Sequence, residues 1–143
     1  MTSAYALKAP LPDVQADGWQ LAEQKTMYGG KRIAAGDVLF LFDSENEGGQ
    51  GLIARGVVVQ AAPCAPRAGV PRQTPRVTLT VRRTATATRP LGRATLRTFD
   101  RWDDGRPETE LNFKLYRQAT DKVVGLSEVA ARWLAACFAE SNE

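Results

Sequence analysis

The chain reads as an α+β domain: a small, mixed, mainly antiparallel β-structure of about five or six strands closed by a C-terminal helix. Three stretches predict it. Residues 36–59 set two apolar, β-branched runs, Val38 to Phe42 and Leu52 to Val59, on either side of a polar, glycine-containing loop, the pattern of a β-hairpin with a long tip. Residues 76–82 alternate strictly, Val77, Leu79 and Val81 against Thr78, Thr80 and Arg82, as a half-buried strand does. Ala130, Trp133, Leu134, Cys137 and Phe138 recur at helical spacing and give residues 128–140 a single apolar stripe.

The remaining elements follow in order. Residues 3–9 are short, roughly alternating and ended by Pro10 and Pro12, which predicts a first strand. Residues 14–25 mix Trp19, Leu21 and Ala22 with polar side chains at a spacing that fits a helical turn or a covering loop. Tyr28, Gly29 and Gly30 then precede Lys31 and Arg32 in a glycine-rich loop, and Gly36-Asp37 turns the chain into the hairpin. Every position from Val38 to Phe42 is apolar, so this strand has protein on both faces, as in a small closed barrel or a sheet covered by helix. Gly56 marks a bulge or sharp bend. The tip, residues 43–50, is longer than connection alone requires, as binding loops often are. Pro63, Pro66, Pro71 and Pro75 make residues 61–75 irregular. Residues 83–89 fit extended chain or loop, and 91–99 stay open. Residues 101–107 form a turn-rich loop that carries Trp102. Leu111, Phe113 and Leu115 alternate, which predicts the last long strand over 111–117. Val123-Val124 fits a short extended piece, Ser127 an N-cap, and Glu128 the positive end of the helix dipole.

With 143 residues the chain fits one domain, 1–143, and its 43% hydrophobic and 24% charged content is that of a globular protein. No apolar run approaches the roughly 20 residues of a membrane span, and residues 1–12 lack a basic segment followed by an apolar one, so no membrane partner and a cytoplasmic location are expected. Cys64 and Cys137 have no Cys-x-x-Cys spacing, which supports neither a disulfide framework nor a zinc site. Histidine is absent, and with it the usual general base, a common metal ligand and the Ser-His and Cys-His nucleophile pairs. Neither a metal nor a cofactor is expected. The net charge is only +3, yet ten arginines stand between positions 67 and 106 against Asp100, Asp103 and Asp104. Such a local excess suits phosphate, which arginine grips with a two-pronged fork; the plainer reading is a solvated surface that uses Arg in place of Lys.

Residues 28–59 resemble the core of the EVE domains, in the PUA-like group that also holds the YTH and ASCH domains. The likeness rests on Tyr28-Gly29-Gly30-Lys31-Arg32, Ile33-Ala34-Ala35-Gly36-Asp37-Val38, the strand ending in Phe42-Asp43-Ser44, and Gly51-Leu52-Ile53-Ala54-Arg55-Gly56-Val57-Val58. Residues 111–138 are similar more loosely, and Tyr5 and Lys8 loosely match the aromatic and lysine of the family's first strand. The family's Trp-Thr-Gly lead before Gly29 is missing. The resemblance implies a PUA-like barrel whose mouth accepts a flipped, often modified (methylated) base between aromatic rings.

On that reading Trp19, Tyr28, Phe42 and Trp102 are the candidate rings, Ser44 the candidate edge reader, Gly29 a further base-binding position, and Lys25, Lys31, Arg32 and Arg101 the phosphate contacts. Each ring also has a packing reading, and Ser44 a capping one. The expected partner is nucleic acid, DNA in preference to RNA, with a separately encoded nuclease possible because such domains serve restriction systems as the recognition part. No catalytic residues are expected. The alternatives are a PUA-like domain binding a small molecule or protein partner, and an ASCH-type enzyme built on Lys25 or Lys31 with Glu23 or Asp43.

Overall fold

The computed structural model describes residues 3–118 and 120–138. Six strands, β1 (Ala4–Ala9), β2 (Gly18–Met27), β3 (Val38–Asp43), β4 (Gly51–Pro63), β5 (Arg76–Thr86) and β6 (Lys122–Gly125), close into a barrel in the order β1-β3-β4-β5-β2-β6. The β1/β3 and β2/β6 pairs are parallel and the other neighbours antiparallel. The architecture is thus a small PUA-like α+β barrel. Three α-helices among the described residues, α1 (Arg93–Leu96), α2 (Pro107–Leu111) and α3 (Glu128–Ala135), complete it together with short 3₁₀ and π-helical turns. Among the described residues no helix is long and apolar enough to cross a membrane, and both cysteines are free.

The barrel explains the unbroken apolar run in β3. Leu39 and Leu41 point inward with Tyr5, Leu7, Trp19, Leu21, Leu79 and Val123, while Phe40 and Phe42 point outward beneath the helices with Leu96, Leu111, Leu115, Leu134 and Phe138. Both readings of that strand, closed barrel and helix-covered sheet, therefore hold at once. Gly56 sits where the β4–β5 register shifts, and a β-carbon there would lie 2.6 Å from the Val81 side chain and 2.7 Å from the Arg82 carbonyl oxygen. Only a residue without a side chain lets the strands approach this closely.

Ser127 caps α3, its Oγ accepting from Ala130 N at 3.1 Å. The helix ends at Ala135, short of the expected 140; residues 139 and 140 lie outside the described residues. Trp133 is only partly buried and packs against the outer core. Residues 83–86 continue β5, and β4 runs into the proline-rich segment as far as Pro63.

Two segments differ from the sequence expectation. Residues 18–25 are strand β2, neither helical turn nor covering loop: a register shift between Leu21 and Gln24, with Glu23 at φ 51°, breaks the alternation that would have revealed it. Residues 111–117 are not a strand: α2 runs on into a π-helical turn, Asn112–Tyr116. Leu111 and Leu115, four apart, satisfy a helix face as well as an alternating strand, and both are fully buried while Phe113 is not. Leu115→Ala should therefore cost about 2–5 kcal/mol of stability and Phe113→Ala clearly less. Urea unfolding of the two variants checks this; equal losses would indicate the strand geometry.

Candidate functional site

The four expected rings are not brought together. Trp19, 6% exposed, faces the barrel interior, donates from Nε1 to the Asp13 carbonyl at 2.8 Å, and carries the Arg83 guanidinium 4.9 Å from its ring centre. Phe42 is 0% exposed in the outer core, edge-on to Tyr116 at 6.4 Å. Both lie on covered faces of barrel strands, so neither is an open cage wall, which corrects the expectation for these two rings. Ser44, also buried, donates from Oγ to Asp121 Oδ1 at 2.8 Å and so ties the end of β3 to the segment before β6. Tyr28 and Trp102, at 50% and 78% exposed, do stand on the surface.

A chain of contacts through Lys114 and Glu110 links these two rings. Tyr28 adopts the left-handed conformation (φ 52°), which a bulky residue rarely takes, and its carbonyl accepts from Gly125 N at 3.1 Å. Gly29 follows at φ 82°, and Lys31 and Arg32 lie exposed in a 3₁₀ turn, Gly30–Arg32. Lys114 Nζ sits 5.6 Å from the Tyr28 ring centre and donates to Glu110 at 3.0 Å. Glu110 in turn borders a shallow groove of about 210 Å³ with Trp102, Gly105, Arg106, Thr109 and Phe113. Arg101 projects from the same loop beside Arg106. Two of the acids here, Asp104 and Glu110, are engaged within the protein. Asp104 accepts from Arg106 N at 3.0 Å and Thr109 Oγ1 at 3.0 Å, the first of which leads in holding its carboxyl below the ordinary range. Burial pushes Glu110 up, but hydrogen bonds from Ser127 and Lys114 outweigh it and leave the group below the ordinary value.

Lys25 lies elsewhere. It pairs with Arg76 across β2 and β5, and with Glu23, Thr120 and Asp121 lines an open cleft of about 390 Å³. Glu23 is held by Arg67 at 2.9 Å, which occupies the carboxylate of the Lys25–Glu23 pairing. A further cleft of about 400 Å³ opens at the barrel mouth between the β1–β2 link, the start of β4 and the segment after β5, with Arg83 and Arg89 in its lining.

Between barrel and helices runs a buried polar cluster. Lys8 and Lys122 are register partners on β1 and β6, with 0% and 1% exposure. Lys8 Nζ is 3.9 Å from Asp121 and 5.3 Å from the Tyr116 ring centre, Lys122 donates to the Thr120 carbonyl at 2.8 Å, and the Tyr116 hydroxyl donates to Glu45 at 2.6 Å.

The sequence matches no family model and no curated protein. Solved structures do match. Human THYN1 in complex with 5-methylcytosine-containing DNA superposes with a TM-score of 0.64 at 12% identity, over 94% of this chain and 96% of that one. The DUF55 domain of human thymocyte nuclear protein 1 gives 0.62 at 12% identity, over 94% and 97%. A hypothetical protein from Leishmania major gives 0.60 at 13%, over 95% and 94%. The chain has an EVE-type, PUA-like fold.

Sequence reading missed most of the polar groups that this EVE-type fold gathers. Arg83 carried no signal beyond its place among the ten clustered arginines, at the start of a segment that fits extended chain or loop, and Tyr116 was hidden by the strand expected over 111–117. Lys8 was marked only by its loose match to the family's first strand. Burial pushes Lys8 down from its ordinary value, and burial followed by Lys8 pushes Lys122 down to about 8. Above about pH 8 the folded chain has released a Lys122 proton that the unfolded chain retains, so stability rises with pH, by at most about 1.4 kcal/mol per unit. Burial holds Cys137 and Tyr116 above their ordinary values, so from about pH 9 the thiol proton that the folded chain keeps offsets the Lys122 effect, and above about pH 10, where tyrosine ionises in the unfolded chain, the slope turns negative. Urea unfolding at intervals between about pH 7 and 9 should show this rise, and Lys122→Met should flatten it.

Proposed function

We propose that this protein is a nucleic-acid reader, DNA in preference to RNA, that accepts an extruded and methylated base and works by binding without catalysis. The observation that carries the proposal is the fold shared over 94% of the chain with a protein crystallised on 5-methylcytosine-containing DNA. The surface bearing Tyr28, Phe113 and Trp102 supports it: rings offer stacking area to bases, and Lys31, Arg32, Arg101 and Arg106 offer positive charge to flanking phosphates. Among the described residues, Arg67 alone of the ten clustered arginines is in an ion pair, so the others keep their charge for a polyanion. A separately encoded nuclease would supply any cleavage.

Titration with single- and double-stranded oligonucleotides, with and without 5-methylcytosine, tests the reading; failure to bind any of them at low salt would reject it. Trp102→Ala should weaken binding by about 1–3 kcal/mol, roughly 5- to 150-fold. Arg101→Ala should weaken it uniformly across sequences and reduce the slope of log affinity against log salt by about 1.

A further inference from the structure

Lys25, which the fold carries away from the ring-bearing surface, stands at the root of an arm built from the β4–β5 connection. We infer that this arm is a second contact surface for double-stranded DNA, its tip seated in the minor groove and its root holding a backbone phosphate. The two strands stay paired out to Pro63 and Val77, past Val57, the last β4 residue with a β3 partner. Cys64 N donates to the Arg76 carbonyl at 2.9 Å, and Thr26 donates to the Pro75 carbonyl from N at 3.0 Å and from Oγ1 at 2.8 Å, so both ends of residues 64–75 are anchored. One side chain then closes the tip. Gln73 Oε1 accepts from Arg67 N at 2.8 Å, and Nε2 donates to the carbonyls of Arg67 at 2.7 Å and Val70 at 3.0 Å, around a turn in which Gly69 takes φ 80°.

The chemistry of tip and root selects the partner. Val70 is 47% exposed at the closed tip, next to Pro71 and between Arg67 and Arg72 in the chain, which makes a small apolar wedge flanked by guanidinium groups. A minor groove suits that combination: its narrow walls concentrate negative potential that draws arginine, and apolar side chains press against the base steps. A tip already closed by three hydrogen bonds loses little freedom on entering it. At the root, Lys25 and Arg76 are direct cross-strand partners lining one open cleft, an arrangement that sets like charges against each other. The two carboxylates of that cleft are engaged elsewhere. Glu23 pairs with Arg67 at 2.9 Å, and Asp121 accepts from Ser44 at 2.8 Å and lies 3.9 Å from Lys8. Lys25, Arg72 and Arg76 have no ion pair among the described residues, and a phosphate between Lys25 and Arg76 supplies the counter-charge that relieves their repulsion.

The inference rests on the nucleic-acid reading above and adds that the duplex is held at a second place, which reads neither sequence nor methylation. The test follows the backbone amides of Gly69 and Val70 and the Trp102 Nε1–H of the full chain by NMR. The titrants are an A·T-rich duplex, with and without 5-methylcytosine, and its single strand. The two arm amides should shift saturably with either duplex and not with the single strand, and netropsin, which occupies the minor groove, should return them to their free positions. Lys25→Gln combined with Arg76→Gln should reduce the slope of log duplex affinity against log salt by about 2, one for each charge that faces a phosphate. The same pair of changes should leave Tm no lower, because it removes two opposed cations. Val70→Asp, on the exposed tip, should remove the preference for duplex over single strand. Duplex binding that shifts Trp102 alone, with the salt slope unchanged in the double variant, would overturn the inference and leave the proposed function standing. Equal arm shifts with both duplexes while Trp102 stays silent would uphold the inference and remove the proposed function. Arm shifts that the single strand reproduces, or that netropsin does not reverse, would overturn the inference, as would silence of the arm toward every probe.

Discussion

The structure depends on the closure of the barrel through β1. This strand pairs in parallel with β3 on one side and antiparallel with β6 on the other, and it is the element that leaves no free edge between them. Because β1 is covered on both faces, its residues divide between two interiors. Tyr5, Leu7 and Ala9 fill the barrel, while Ala6 and Lys8 lie beneath the helical layer. Lys8 is then a charge in a place without water, and its neighbours follow from that. Asp121, held by Ser44, and the Tyr116 ring surround it. No buried side-chain nitrogen or oxygen among the described residues lacks a hydrogen-bond partner, as a desolvated polar layer requires.

The two interiors also decide which aromatic rings face outward. A closed barrel of this size fills its lumen with side chains, so inward-facing residues such as Trp19 are packing by necessity. The helical layer does the same to Phe42 on the outer surface. Rings remain available only where the chain leaves the barrel wall. Tyr28 does so in the left-handed turn after β2, and Trp102 in the loop before α2. Lys114, Glu110 and Phe113 connect the two, because the helical course of 107–116 lays that segment between them.

Charge is distributed by the same logic. The arginines adjacent in sequence are divided among the proline-rich loop (Arg67, Arg72), the barrel mouth (Arg83, Arg89) and the helical side (Arg93, Arg101, Arg106), and do not form a single patch. Several of them lie against rings, Arg83 on Trp19, Arg93 on Tyr116 and Arg106 on Phe99, contacts that a planar, delocalised cation makes without giving up its charge. A polyanion contacting this protein meets cations on several sides, and the side at which a base is held depends on where rings and planes are exposed.

The amino-acid pattern alone determined the hairpin of β3 and β4, the alternating β5, the short β6 and the Ser127-capped α3, because apolar periodicity, glycine at the bulge and a hydroxyl at the cap act over a few residues. It also carried the likeness to EVE domains, through the glycine-spaced run from Tyr28 to Val58. Tertiary structure decided the rest. Residues 18–27 became a strand because β5 and β6 offered partners across a bulge, and 111–116 became helical because Leu111 and Leu115 had to reach one core. Whether a given tryptophan is a wall, a backing or an exposed plate depends on which layer covers it, and that covering comes from residues tens of positions away, whose placement no local pattern encodes.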